Sequence, residues 1–91
     1  MELDIIYKYF APEERPLDAT TIKTATMEVE DNQIWTNLHP VGQVISLRAD
    51  DPDKFGEQPK EYRVVERAPL LAAIGDPGYA MAALTVIITD P

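Results

Sequence analysis

Ninety-one residues are enough to build one hydrophobic core and too few for two. Apolar residues make up 45% of the chain, the composition of a folded domain; with no cysteine, a disulfide framework, a thiolate metal site and a cysteine nucleophile are all excluded. Sixteen acidic against eight basic side chains give a net charge of −8, which opposes direct binding to nucleic-acid phosphates and favours a partner whose own surface is basic.

The first ten residues lack the basic-then-apolar order of a secretory signal. The longest apolar stretch, 80–88, is about half of the ~20 residues needed to cross a bilayer. A cytoplasmic location off the membrane is therefore expected.

Leu3, Ile5, Tyr7 and Tyr9 alternate with Asp4, Ile6, Lys8 and Phe10, and this period of two predicts a first strand. Pro12 and Pro16 bracket a charged run, so residues 11–20 read as a loop. Residues 20–30 are rich in threonine and β-branched side chains and read as a second strand, although Ala19, Ile22, Thr26 and Val29 would also share one helix face.

Asp31 and Asn32 tolerate the left-handed backbone of a tight hairpin turn, and 33–38 follows as a third strand. Pairing outward from that turn sets Val29 opposite Ile34 and Met27 opposite Thr36. The turn at His39, Pro40, Val41 and Gly42 leads to a further strand with Ile45 and Leu47 on the same apolar face. The opposite face of this three-strand meander carries Thr24, Thr26, Glu28, Glu30, Trp35, Ser46 and Arg48.

Residues 50–60, with two prolines, a glycine and several charges, read as an exposed loop. Residues 61–67 read as a strand with Tyr62 and Val64 on one side and Arg63, Val65 and Arg67 on the other. Pro69 and Gly75 frame a short helix over 70–74. Asp76, Pro77 and Gly78 then turn the chain into a last strand, 82–89, apolar on both sides and so placed centrally.

The fold class that follows is mainly β. A five- or six-strand antiparallel sheet curls into a roll or small sandwich, with one short helix near residues 69–74, as a single domain over 1–91. Its predicted core is Leu3, Ile5, Tyr7, Met27, Val29, Ile34, Leu38, Ile45, Leu47, Tyr62, Val64, Leu84, Val86 and Ile88.

Candidate chemistry is sparse. The only serine, Ser46, and the only histidine, His39, would be separated by about 13 Å at ~3.3 Å per strand residue, so they form no nucleophile and base, and His39 reads as a turn residue. Asp50, Asp51, Asp53 and Glu57 could ligate a hard cation but lack the alternating oxygens and glycine of a calcium loop, so a solvated acidic loop is the simpler reading. The four glycines form neither a phosphate loop nor a dinucleotide motif. No catalytic residue, metal or cofactor is expected.

Trp35 lies amid the polar face, either covered by the 68–81 segment or presented to a partner. Presented, with Glu28, Glu30 and Asp31 around it, it has the composition of a contact hot spot. The expected function is a non-enzymatic protein-binding module, an accessory or inhibitor protein that meets a basic, nucleic-acid-binding partner by charge mimicry. A homo-oligomeric structural or assembly protein and, behind it, a carboxylate-only enzyme are the alternatives.

Overall fold

The computed structural model describes residues 2–29, 38–73 and 80–91, with the side chains of 71–73, 80 and 81 left aside. Alternating apolar residues become strands throughout: β1 (Glu2–Tyr9), β2 (Thr20–Glu28), β3 (Val44–Leu47), β4 (Lys60–Ala73) and β5 (Ala80–Thr89). These form one sheet in the order β2-β1-β5-β4-β3, curled into a half-barrel, so the mainly β fold expected from the sequence is present. β5 is central, as its two apolar sides require.

One face of every strand lines the core. Leu3, Ile5 and Tyr7 of β1, Ile45 and Leu47 of β3, Tyr62 and Val64 of β4, and Leu84, Val86 and Ile88 of β5 are all buried. Val29 and Leu38 pack partly buried against this cluster. Met27 is a correction. It shares Leu3's face by pairing, but on the outermost strand it stays 41% exposed, and Ile22 is buried in its place along β2. The reason is a bulge: β2 pairs Lys23 with Tyr7 and Thr21 with Lys8, so Ile22 is the extra residue and turns inward.

Four further expectations are corrected. The sheet is mixed, because β1 lies parallel to β5. Parallel neighbours need a long crossover, and the chain between the first and last strands supplies it. The helix near 69–74 is also not formed over its described part: Pro69–Ala73 continues β4, with Pro69 opposite Leu84. Proline's missing N–H is tolerated there because β3 pairs only with Lys60–Arg63, which leaves the rest of β4 with β5 alone among the described strands.

Helix appears instead inside the segment read as an exposed loop. Asp51 caps a single turn, α1 (Pro52–Phe55), by accepting from the N–H groups of Asp53 and Lys54. Pro52 begins the turn and Gly56, at φ 86°, ends it, the usual placement of these two residues. A 3-10 turn at Pro16–Asp18 interrupts the first loop.

A second bulge, at Val65, reverses the parity of β4. Val64 pairs with Ile88, but Glu66 pairs with Ile87 and Arg67 with Val86. Arg67 therefore shares the core face with Val64, not the opposite face predicted from strict alternation. The proposed hairpin at 31–32, the strand over 33–38 and their register fall outside the described residues. What is described is that β2 and β3 stand at opposite ends of the sheet, and that the chain after β3 closes on β2: the Asp50 N–H donates to the Ile22 carbonyl at 2.9 Å.

Candidate functional site

The outward face at the β1–β2 edge is the most acidic surface that the register builds. Glu2 lies directly opposite Glu28, and the next outward pair is Asp4 with Thr26, whose hydroxyl donates to the Asp4 carboxylate at 2.9 Å. Glu28, predicted as a partner-binding residue, is thus exposed at a strand end, on the face that also carries Thr24 and Thr26. The other three predicted site residues, Glu30, Asp31 and Trp35, lie outside the described residues. Glu2 and Asp4 join this edge only through the pairing of β1 with β2, which no local spacing announces. The two carboxylates concentrate negative charge at this end of the edge strand.

A second cluster sits on the core side. His39 takes a left-handed backbone conformation, φ 53°, and brings its Nε2 to 2.8 Å from the Tyr7 hydroxyl, with the rings edge to face at 5.4 Å. Burial, with the Arg67 guanidinium second, holds the His39 pKa below 6.5, and burial pushes the Tyr7 phenol up. Both groups are neutral at pH 7, so with the Nδ1–H tautomer the phenol donates to Nε2. Arg67 Nε donates to the Leu38 carbonyl at 3.1 Å, while its buried Nη2 has no hydrogen-bond partner among the described residues. Reading His39 as a turn residue was right about its backbone and incomplete about its side chain. Nothing in the local spacing points to Tyr7 or Arg67, because the Val65 bulge is what turns Arg67 inward.

Ser46 and His39 are kept apart. Ser46 is exposed on the outward face of β3, between buried Ile45 and Leu47, whereas His39 packs on the core side. Among the described residues, no three acidic or histidine side chains converge as a metal site. Of the acidic loop, Asp51 is occupied as a helix cap and Asp50 accepts from the Thr24 N–H at 3.0 Å. No helix among the described residues is long and apolar enough to cross a membrane.

Two clefts flank α1. One of about 380 Å³ is lined by Arg48, Asp50, Pro52 and Glu57. The other, about 260 Å³, is lined by Tyr9, Glu14, Asp18, Thr20, Lys54 and Phe55. The acids of the smaller cleft are tied to the local backbone: Glu14 accepts from the Ala11 N–H at 2.9 Å and Asp18 from the Arg15 N–H at 3.2 Å. Tyr9 donates to Asp90 at 3.1 Å and packs edge to face on Tyr62. Burial first, then this bond and the Asp90 charge, push the Tyr9 phenol up to about 12.

These shifts set the expected pH limits of stability. Tyr9 ionises at a higher pH folded than unfolded, so its contribution is complete below pH 10 and is lost as pH rises toward 12. His39 titrates below 6.5 in the fold, so its neutral-state contribution is present above 6.5 and is lost as pH falls. Denaturant unfolding across pH should show an acid-side decline that weakens in His39→Gln and an alkaline decline that weakens in Tyr9→Phe. Unchanged profiles in both variants would refute these assignments.

Comparison with family models, with curated proteins and with solved structures finds no match to this chain.

Proposed function

We propose that this chain is a non-enzymatic protein-binding module that holds a basic, nucleic-acid-binding protein partner and acts on it as an accessory or inhibitor by charge mimicry. The observation that carries the reading is the opposed Glu2–Glu28 pair with Asp4 beside it, on an outward face of a chain whose net charge is −8. Such a face attracts a cationic surface over roughly 8 Å at physiological salt. Glu30, Asp31 and Trp35, which follow Glu28 in the chain, belong to the same proposed surface, with Trp35 as its aromatic anchor.

A carboxylate-only enzyme has less support, since Glu14, Asp18 and Asp50 in the two clefts already accept from backbone N–H groups.

Glu2 is exposed, so Glu2→Lys should change stability by less than about 0.5 kcal/mol, read by denaturant unfolding. The same variant should bind a basic partner, recovered on the immobilised chain from the host's extract, with a slower association rate. Trp35→Ala should instead speed dissociation, with about 2 kcal/mol or more of binding energy lost. Tighter or unchanged binding by Glu2→Lys and Glu28→Lys would contradict the reading.

A further inference from the structure

Residues 38–41 form a strap tied to β1 and β4, and its ties among the described residues are few. The Tyr7 hydroxyl donates to His39 Nε2 at 2.8 Å, the Arg67 Nε donates to the Leu38 carbonyl at 3.1 Å, and Leu38 packs partly buried on the core. Pro40 and Val41 are exposed. Beyond them the backbone itself is fastened: the Gly42 N–H donates to the Val64 carbonyl at 2.7 Å, and the Val64 N–H to the Gln43 carbonyl at 2.9 Å. Gly42, at φ 94°, stands at the boundary between the lightly tied residues and the fastened ones, where glycine's backbone freedom suits a hinge.

Protonation of His39 works against these ties. The neutral ring accepts from the phenol, whereas an imidazolium donates from both nitrogens, so the phenol has to turn and its proton loses its acceptor. Burial keeps the phenol from giving that proton up. The new charge also faces Arg67, whose buried Nη2 has no hydrogen-bond partner among the described residues, and no carboxylate among them offsets the two cations. The other charged group at the turn, Arg63, donates from Nη1 to the Gly42 carbonyl at 3.0 Å and is a further cation. Opening would also relax the left-handed backbone at His39, φ 53°, which is uncommon outside glycine.

We propose that the strap is an acid-opened latch: residues 38–41 lie closed while His39 is neutral and swing out about Gly42 when the ring takes a proton, carrying the imidazolium into water. Its consequence for recognition rests on the partner-binding reading above. Glu30, Asp31 and Trp35 lie in the chain between Glu28 and this strap, so acid frees one end of the segment that carries them and weakens its hold on a basic protein.

Hydrogen exchange of single amides, followed by NMR from about pH 7.5 to about pH 5 and corrected for the intrinsic exchange rate, tests the latch. The Gln43 amide, which donates to the Pro40 carbonyl at 3.1 Å, reports on the strap; the Val64 amide and those of β5 report on the sheet. The ring titrates near 6.5 in the open form and lower in the closed one, so opening should grow by up to about tenfold per pH unit below 6.5, until the closed form is itself protonated. Gln43 protection should fall accordingly while that of Val64 and β5 holds. His39→Gln keeps an acceptor for the phenol but takes no proton, and should abolish the pH dependence. Tyr7→Phe keeps the ring and removes the donor, and should lower Gln43 protection already at about pH 7.5. Gln43 protection that is flat with pH in the parent, that falls together with β5, or that falls equally in His39→Gln would overturn the latch.

Binding is a separate arm. Affinity for the basic protein recovered on the immobilised chain should drop between about pH 7.5 and about pH 5.5 in the parent and less in His39→Gln. Equal drops would overturn the link from latch to recognition. A chain that retains no basic protein at either pH would sink the partner-binding reading, with the latch decided by exchange alone.

Discussion

Leu84→Ala is expected to destabilise the fold by ~2–5 kcal/mol, the range for truncating a fully buried leucine. Leu84 is fully buried at the middle of the central strand, with Ile5 beside it on β1 and Pro69 on β4. A cavity there lies at the junction of three strands whose backbones are fixed by ladder pairing, so the neighbours have little freedom to collapse into it. Small domains have about 5–15 kcal/mol in total, so this single change removes a large share of the stability. Leu70→Ala is the control, because an exposed side chain on the same hairpin should cost less than about 0.5 kcal/mol. Denaturant midpoints of the two variants should therefore differ widely; equal midpoints would mean that the core has been placed on the wrong face.

The second large effect is expected at Asp50, which closes the curl. Its carboxylate accepts from the Thr24 N–H at 3.0 Å and pairs with Lys23 at 3.5 Å, while its own N–H donates to the carbonyl of the bulge residue Ile22. The Lys23 pair is partly exposed and contributes under about 1 kcal/mol, but removing the carboxylate also takes the acceptor from a backbone donor on an edge strand. Asp50→Ala should cost ~1–3 kcal/mol, and Asp50→Asn less, since an amide oxygen can still accept from Thr24. Hydrogen exchange adds a local reading: the Thr24 amide should lose protection in Asp50→Ala while amides of β5 keep theirs relative to global stability. Equal stability of Asp50→Ala and the parent would remove the proposed clasp between β2 and the end of β3.

How much of this was legible in the sequence follows from the range of the interactions involved. β1, β5 and the first half of β4 announce themselves, because period-two alternation is written in neighbouring residues, and β2 does so through its threonine-rich, β-branched composition. Ten of the predicted core residues, from Leu3 through Ile88, are buried for the same reason. The two bulges are not written there. Val65 looks like any strand residue, yet as the extra one it turns Arg67 inward, and Ile22 does the same on β2. Pro69 beside Gly75 reads as a helix start, but the long antiparallel partnership with β5 outweighs that local preference and holds Pro69–Ala73 extended. The turn at α1 was readable, since Asp51, Pro52 and Gly56 stand at cap, first and terminal positions; the density of charge drew the reading toward a loop.

The candidate site divides in the same way. That Glu28 faces outward follows from alternation within β2. That Glu2 lies opposite it follows from a pairing between strands separated by the whole first loop, which the expected 31–32 hairpin did not include. Tyr7 and His39 meet across 32 positions, with a left-handed backbone at His39 that no spacing rule anticipates.

The central claim is that an acidic surface of this chain takes the place of nucleic acid on a basic protein. The most direct measurement is the association rate of that protein with the chain, followed at several salt concentrations with and without duplex DNA. Charge mimicry predicts that association slows steeply as salt rises, that DNA competes, and that Glu28→Lys flattens the salt dependence. Association insensitive to salt, with DNA bound to the partner at the same time as the chain, would contradict it and leave the charge of −8 with no part in recognition.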